Sequence, residues 1–452
     1  MSFIVSTLVT LIVPKLIGIE EYGYWQLYLF YSSYLGFLHF GWVDGIYLRY
    51  GGEEYDNLDR KLFFSQFTML LLSQLLIGVI LLVLTVLFVS NIDKKFIFKT
   101  IAFVLVLVNI RTMLLYILQA TNRIKEYARI TMLDRVLYIV LVISFLLIGI
   151  KDYKLMIAAD LIGKLISLLY AMYCCKSIVF NKLSVFYLSI NETVANINVG
   201  IKLMFSNIAS MLIIGIVRFG IERTWDVTTF GKVSLTLSIS NMTMLFINAL
   251  GIIMYPMLRR TSKDKLSVIY TTTRDFLMII LLGVLVMYYP LKTMLSVWLP
   301  QYTESLMFMS LVFPSFIYEG KMSLLLNTYY KALREEKKIL KINLISLLLS
   351  LILTIVSMKI LRNLNLAVIN IVILYAVRSV LAESYLIRKL GITAQKDIML
   401  ELLLTIVFIT SGWYINSWLT VIIYMLSYLV YIIVKRNDIK NLSNFVRNII
   451  RE

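Results

Sequence analysis

The stretch "LIVPKLIGIEEYGYWQLYLFYSSYLGFLHFGWVDGIYLRY" (residues 11–50) decides what kind of protein this is. Between Glu21 and Asp44 it carries no acidic or basic side chain other than His39, and most positions are aliphatic or aromatic. An α-helix needs about 20 apolar residues to cross a bilayer, so the run predicts a membrane span over residues 23–49. It closes unusually for a span, with His39, Asp44 and Arg49 crowded near its end.

Working outward, runs of the same kind cover residues 1–17, 63–90, 96–120, 131–150 and 153–173. Six more lie at 200–219, 229–256, 275–299, 304–330, 339–360 and 366–388, and a last pair at 398–415 and 417–434. They predict an all-α polytopic membrane protein with about 14 transmembrane helices. Composition agrees, with 60% hydrophobic and 15% charged residues, against about 45–50% and 25% in soluble domains. Mean hydropathy is +0.85. Five prolines in 452 residues leave no flexible linker. Only twelve residues separate Met1 from Pro14, and no basic residue precedes them, which predicts a natural start upstream.

The net charge of +18 is mainly a topology signal. With both termini cytoplasmic, inner loops and tail hold 28 of the 44 lysines and arginines, Arg49 and Arg274 among them, as the positive-inside bias requires. Such a surface attracts anionic membrane lipid and gives no reason to expect nucleic acid. Cys174 and Cys175 are adjacent, poorly placed for a disulfide; core-edge thiols are the simpler reading, palmitoylation the alternative.

Two stretches about 200 residues apart answer each other. "GIEEYG" (18–23) and "GIERTWDVTTFG" (220–231) each lead into a span; Glu20 then matches Glu222, Gly23 matches Gly231, and Arg49 matches Arg259. "LQATNRIKEY" and "YKALREEKK" match Ala120 to Ala332 and Lys125 to Lys337. Six spans separate the copies, an even number, so the repeats are parallel, as in one class of secondary transporter.

The opening stretch together with "LQATNRIKEYARITMLDR" resembles the lipid-linked oligosaccharide flippases of bacterial O-antigen, capsule and exopolysaccharide synthesis, in the multidrug/oligosaccharidyl-lipid/polysaccharide exporter superfamily. The resemblance implies two parallel six-helix bundles, 1–175 and 200–390, a cytoplasmic connector at 176–199, and two extra helices with a basic tail at 391–452. It implies a bacterial cytoplasmic membrane protein that moves undecaprenyl-pyrophosphate-linked glycan by alternating access, with polysaccharide polymerase and other assembly proteins as partners. No cofactor is implied.

An enzyme needs a constellation of reactive groups. "FGKVS" (230–234) lacks the upstream glycine and following hydroxyl of a Walker A loop. One histidine and two adjacent cysteines do not build a typical zinc site, and no Gly-x-Ser-x-Gly elbow occurs. A membrane polymerase or ligase remains the enzymatic rival, although every external loop reads as short. "NET" (191–193) reads as a polar turn in the connector.

Four cations fall inside spans: Arg111, Lys164, Lys321 and Arg378, with Arg218 near the outer end of another. Charge at mid-bilayer costs about 2.5–3.5 kcal/mol on the insertion scale and faces a cavity or a partner. Arg111 has no acid in its own helix and is the leading candidate for an unpaired cation lining a cavity; Arg378 joins it. Lys164 has Asp160 four residues away, on the same helix face. Lys321 and Glu319, two apart, do not share a face, and Lys321 reads equally as lining or paired. Asparagines within spans, Asn109, Asn207, Asn241, Asn248, Asn327 and Asn370, are candidates to line a polar route for sugar hydroxyls or to bridge helices. Candidates for a gate or for ion coupling are Asp44, Arg49, Glu319, Glu383 and His39, the last also read as a packing residue. A cation-coupled drug or metabolite antiporter would need an acidic lining, and the cationic excess speaks against it.

Overall fold

The computed structural model describes residues 2–260, 265–415 and 417–438; within these, the side chains of 2–6, 8, 243, 245–260 and 336 are not described. The expected upstream start at Met1, the side chains of Asn248 and Arg259, and the tail from Lys440 onward lie outside the described residues. The chain divides into two compact units, Met1–Ile208 and Ala209–Glu452.

The first unit opens with α1 (Ser2–Leu16) and α2 (Ile19–Ser32), then α3 (Trp42–Arg49). It continues through α4 (Arg60–Phe88), α5 (Ile92–Ala120), α6 (Ile124–Leu147), α7 (Tyr153–Cys174) and the short α8 (Lys176–Val179). Side chains start several of these helices: Asp59 accepts from the amides of Lys61 and Leu62, Asn91 from that of Lys94, and Asp152 from that of Lys154, the N-capping bonds that satisfy first-turn donors. Helix α5 is the axis of the unit, packed against α2, α3, α4, α6 and α7. Its Ile110, Met113, Leu114 and Leu118 join Val43, Ile46, Phe63, Phe67 and Leu70 in one core. Helix α4 by contrast keeps Leu76, Val79, Val83, Leu87 and Phe88 exposed, the apolar face that a lipid-facing helix presents.

The expected continuous span over 23–49 is broken. Helix α2 stops at Ser32, a 3₁₀ turn follows at Leu35–His39, and Phe40 and Gly41 take left-handed backbone with φ 54° and 80° before α3 begins. A break inside a membrane must satisfy its own backbone groups. Asn109 donates to the Leu35 carbonyl at 3.1 Å and Gln74 to the Leu38 carbonyl at 3.3 Å, while the Gly41 amide donates to His39 Nδ1 at 3.2 Å. The buried polar residues of this region thus serve the break.

Helix α9 (Ile190–Thr224) begins well before the expected run at 200, so "NET" forms its first turn instead of a polar turn. Thr193 accepts from Gln66 at 3.0 Å. Gly41 and Gly45 let α9 come close: a Cβ on Gly45 would stand 1.9 Å from the Asn196 carbonyl oxygen, and one on Gly200 2.0 Å from that of Gly41.

The second unit continues with α10 (Val227–Arg260), α11 (Leu266–Val284) and α12 (Tyr288–Trp298), then the interrupted run α13 (Met307–Val312), α14 (Ser315–Gly320) and α15 (Asn327–Ala332). A π-helical stretch at Lys321–Leu326 joins the last two. It closes with α16 (Glu336–Ile355), α17 (Leu364–Leu390), α18 (Gln395–Tyr414) and α19 (Leu419–Val434). Helix α17 packs on α13, α14, α16 and α18, while α19 packs on α18 and α11. Among the described residues, nine helices are long and apolar enough to cross a membrane, with Leu419–Val434 a shorter apolar one. With the broken and interrupted spans, the all-α fold is that of a polytopic membrane protein of about fourteen transmembrane helices.

Three of the repeat matches fall at equivalent places in the two element orders. Gly23 and Gly231 are each the fifth residue of their helix, Ala120 and Ala332 each the last, and Lys125 and Lys337 each the second. Glu20 and Glu222 do not correspond: one opens α2, the other lies in the last turn of α9.

Candidate functional site

Ionisable side chains gather in separate clusters in each unit. In the first unit, Arg111 on α5 holds Asp134 on α6, Nη1 to Oδ2 2.6 Å, and donates to Ser167 Oγ on α7 at 2.8 Å. Beside them Lys164 pairs with Asp160, whose other oxygen accepts from the Tyr28 hydroxyl at 2.5 Å. Ser167 in turn donates to the Lys164 carbonyl at 3.0 Å. Four charges on three helices therefore form a balanced set, roofed by Trp25, Tyr28 and Tyr138 in stacked contact. The Arg111 Nε is buried and makes no hydrogen bond.

This corrects the expectation that Arg111 stands unpaired. The acid it uses is on the next helix, and that helix starts at Ile124 instead of 131, carrying Asp134 about 15 Å along at 1.5 Å per residue. The pairing of Lys164 with Asp160 is present at the expected four-residue spacing.

In a separate cluster, Arg49 at the end of α3 donates through Nη1 to Glu192 at 2.5 Å and to Asn196 at 2.6 Å, and the Tyr50 hydroxyl donates to Glu192 at 2.7 Å. His39 Nε2 lies 3.8 Å from Asp44 Oδ2, beyond hydrogen-bond reach.

In the second unit Lys321 and Arg274 face Glu383 and Glu401 across a closed box. Lys321 Nζ stands 2.5 Å from Glu383 and 2.6 Å from Glu401; Arg274 reaches Glu383 through Nε at 2.5 Å and Glu401 through Nη2 at 2.6 Å. All four side chains are at most 1% exposed. Two cations over two carboxylates leave no net charge, the condition under which such burial is tolerated. Lys321 is thus paired on both sides, with its side chain wholly buried. Arg274, expected in an inner loop, is a core residue because α11 starts at Leu266, nine residues before the expected run at 275. Outside the box, Lys435 bonds Asp275 at 2.8 Å, Asp397 at 3.0 Å and Asp438 at 2.9 Å. These residues line a polar cavity of about 640 Å³.

Arg378 on α17 is held more loosely. It lies 3.3 Å from Glu319 and donates to Asn343 at 2.9 Å and to Ser210 at 2.8 Å. Arg378 is 3% exposed and Glu319 28%. Arg218 donates to Ser234 at 3.0 Å and lies over the Phe230 ring.

The asparagines divide likewise. Asn109 caps the broken span, and Asn370 donates to the Leu353 carbonyl and to Ser357, helix-bridging roles in both cases. Sequence reasoning missed Asp134, Arg274, Glu401 and Lys435. Glu401 was legible as a lone acid in the apolar run "IMLELLLTIVF", and Asp134 as an acid near the start of the run at 131–150; Arg274 and Lys435 each stand one residue outside an expected run and were read as loop residues. Among the described residues no group of three or more His, Cys, Asp or Glu could hold a metal ion.

No protein-family model matches the chain, and no curated protein matches it in sequence. Solved structures do. One is a multidrug resistance MATE family transporter of the MOP superfamily in an inward-facing conformation, with 13% identity and a TM-score of 0.66, over 85% of this chain and 94% of that one. Another is the lipid II flippase MurJ in an inward closed conformation, with 15% identity and a TM-score of 0.60, over 97% of this chain and 99% of that one. At such identities the likeness is one of fold: the chain has the fold seen in MOP superfamily transporters.

Proposed function

We propose that this chain is a flippase of the bacterial cytoplasmic membrane, with both termini in the cytoplasm, which translocates undecaprenyl-pyrophosphate-linked oligosaccharide units for cell-surface polysaccharide assembly. The observation that carries the proposal is coverage. The likeness to a lipid II flippase spans 97% of this chain, whereas that to the multidrug transporter spans 85%.

The substrate class sets a physical demand. A pyrophosphate crossing the bilayer must exchange water and counterions for fixed donors, and the planar fork of arginine suits phosphate oxygens. Arg111 is the leading candidate, since it keeps one buried donor unbonded. In this scheme Asp134 neutralises Arg111 while the site is empty, and a pyrophosphate competes with it for the guanidinium. Arg378, Lys164 and Arg218 are further candidates for the anionic route; Lys321 acts as a positioning residue for Glu383 and Glu401. Of the coupling candidates, Glu319 is best placed to exchange a proton or an ion, being partly exposed and opposite Arg378 at 3.3 Å. Asp44, Arg49 and His39 belong to the inner gate, around the broken span, and Glu383 is held in the box.

The test is translocation of a fluorescent lipid-linked oligosaccharide in proteoliposomes. Arg111→Ala is expected to abolish it with protein level unchanged; translocation at the wild-type level would remove Arg111 from the mechanism, and no translocation by the wild type would remove the proposal. A drug or metabolite antiporter is the second reading, favoured by the higher TM-score of the multidrug transporter. Uptake of an organic cation against an ion gradient, without lipid translocation, would establish it.

A further inference from the structure

The second unit carries a cavity that no pair or core contact described above uses. It has a volume of about 520 Å³, within the usual range of ligand pockets, and is lined by Arg223, Thr224, Trp225, Met358, Lys359 and Arg362. All three charged lining residues are cations. Arg223 has a neighbouring acid, with Nε 3.4 Å from Glu222, whose side chain is 3% exposed. Lys359 and Arg362 have no ion pair among the described residues.

The backbone is shaped to bring these side chains together. Gly220 on α9 leaves room for Met358: a Cβ there would stand 2.3 Å from its Sδ. Residues Val356–Ile360 form a π-helical turn, so the chain leaves α16 out of α-helical register. Arg362 then takes left-handed backbone, φ 46°, a region that non-glycine residues seldom occupy. Such irregularities concentrate at functional sites. The carboxyl ends of α9 and α16 and the amino ends of α10 and α17 meet here, so their dipoles largely offset one another. The field in the cavity is therefore set by the three side chains.

The surroundings say what kind of anion fits. Phe219, Ile360 and Leu361, on the elements that line the cavity, are exposed apolar residues at 43%, 69% and 54%. The cavity lies at helix ends that the lysine and arginine distribution assigns to the external side. A ligand there meets cations and an indole at its head and apolar side chains beside it.

We propose that this cavity binds the phosphorylated headgroup of a membrane-anchored lipid on the external side. The pyrophosphate of a polyprenyl carrier and the phosphate of a phospholipid share this chemistry. Its external placement rests on the topology of the flippase reading, whereas headgroup binding is measured without translocation, so the two fail separately.

The full chain in zwitterionic nanodiscs tests it, with quenching of Trp225 fluorescence as the signal and Trp225→Phe identifying its source. Four probes are titrated: undecaprenyl pyrophosphate, phosphatidylglycerol, inorganic pyrophosphate and uncharged undecaprenol. Undecaprenyl pyrophosphate, phosphatidylglycerol or both are expected to bind at least tenfold more tightly than inorganic pyrophosphate or undecaprenol. A preference between the two lipids names the natural source. The K359Q/R362Q double variant should weaken that binding tenfold or more with an unchanged melting temperature, and K359R/R362K should restore it. Equal affinity of wild type and K359Q/R362Q for both phosphorylated lipids would overturn the proposal. Inorganic pyrophosphate binding as tightly as the lipids would overturn it as well, since the apolar flank would then contribute nothing.

Discussion

At Arg111 the decisive partner is Asp134, and the pair sets what a substitution can reveal. Removing one member of a buried ion pair leaves the other charge unsatisfied, at a cost of about 3–5 kcal/mol. Arg111→Ala therefore mixes loss of function with loss of stability. The double variant R111A/D134N removes both charges. It is expected to melt closer to the wild type than R111A does while still failing to translocate substrate; restored translocation would make the arginine structural. Lys321 behaves differently because it touches two carboxylates. Lys321→Met leaves Glu383 and Glu401 facing Arg274 alone, and thermal unfolding in detergent should show a loss of about 3–5 kcal/mol. Adding Glu401→Gln to it should recover part of that loss, since two opposite charges then remain.

Elements meet closely only where glycine permits. Helix α9 crosses α3 with Gly45 against the Asn196 carbonyl and Gly200 against that of Gly41. Gly45→Ala or Gly200→Ala must push the helices apart, at an overpacking cost of about 1–3 kcal/mol or more. A lower melting temperature for both variants is expected, and no change would show that the contact yields freely. The break between α2 and α3 was not legible in the run of apolar residues. Hydropathy records how oily a segment is and is blind to whether Phe40 and Gly41 bend it. The residues that satisfy the break, Gln74 and Asn109, lie 36 and 74 positions from the carbonyls they reach. Gly41 and Gly45, by contrast, stand four residues apart in the chain, a small-residue spacing that lets another helix approach closely.

For the whole molecule, orientation is the property that charge distribution predicts and that labelling can check. With Cys174 and Cys175 replaced by Ala, a cysteine at position 362 is expected to react with an impermeant thiol reagent from outside the cell. A cysteine at 125 should react only after the inner face is opened. The reverse pattern would invert the topology and move the cavity around Trp225 to the cytoplasmic side.

Sequence alone determined the membrane class, the all-α fold and a count of about 14 spans. These depend on composition, run length and spacing along one chain, which any linear reading contains. Tertiary structure decided which charges neutralise one another. Arg111 meets Asp134 across helices, and Arg274 and Lys321 meet Glu383 and Glu401 from four separate helical segments. The physical reason is that an ion pair depends on distance in space between helices, which spacing along one chain does not record; at Arg274 a helix start nine residues earlier than expected also turns an apparent loop charge into a buried partner.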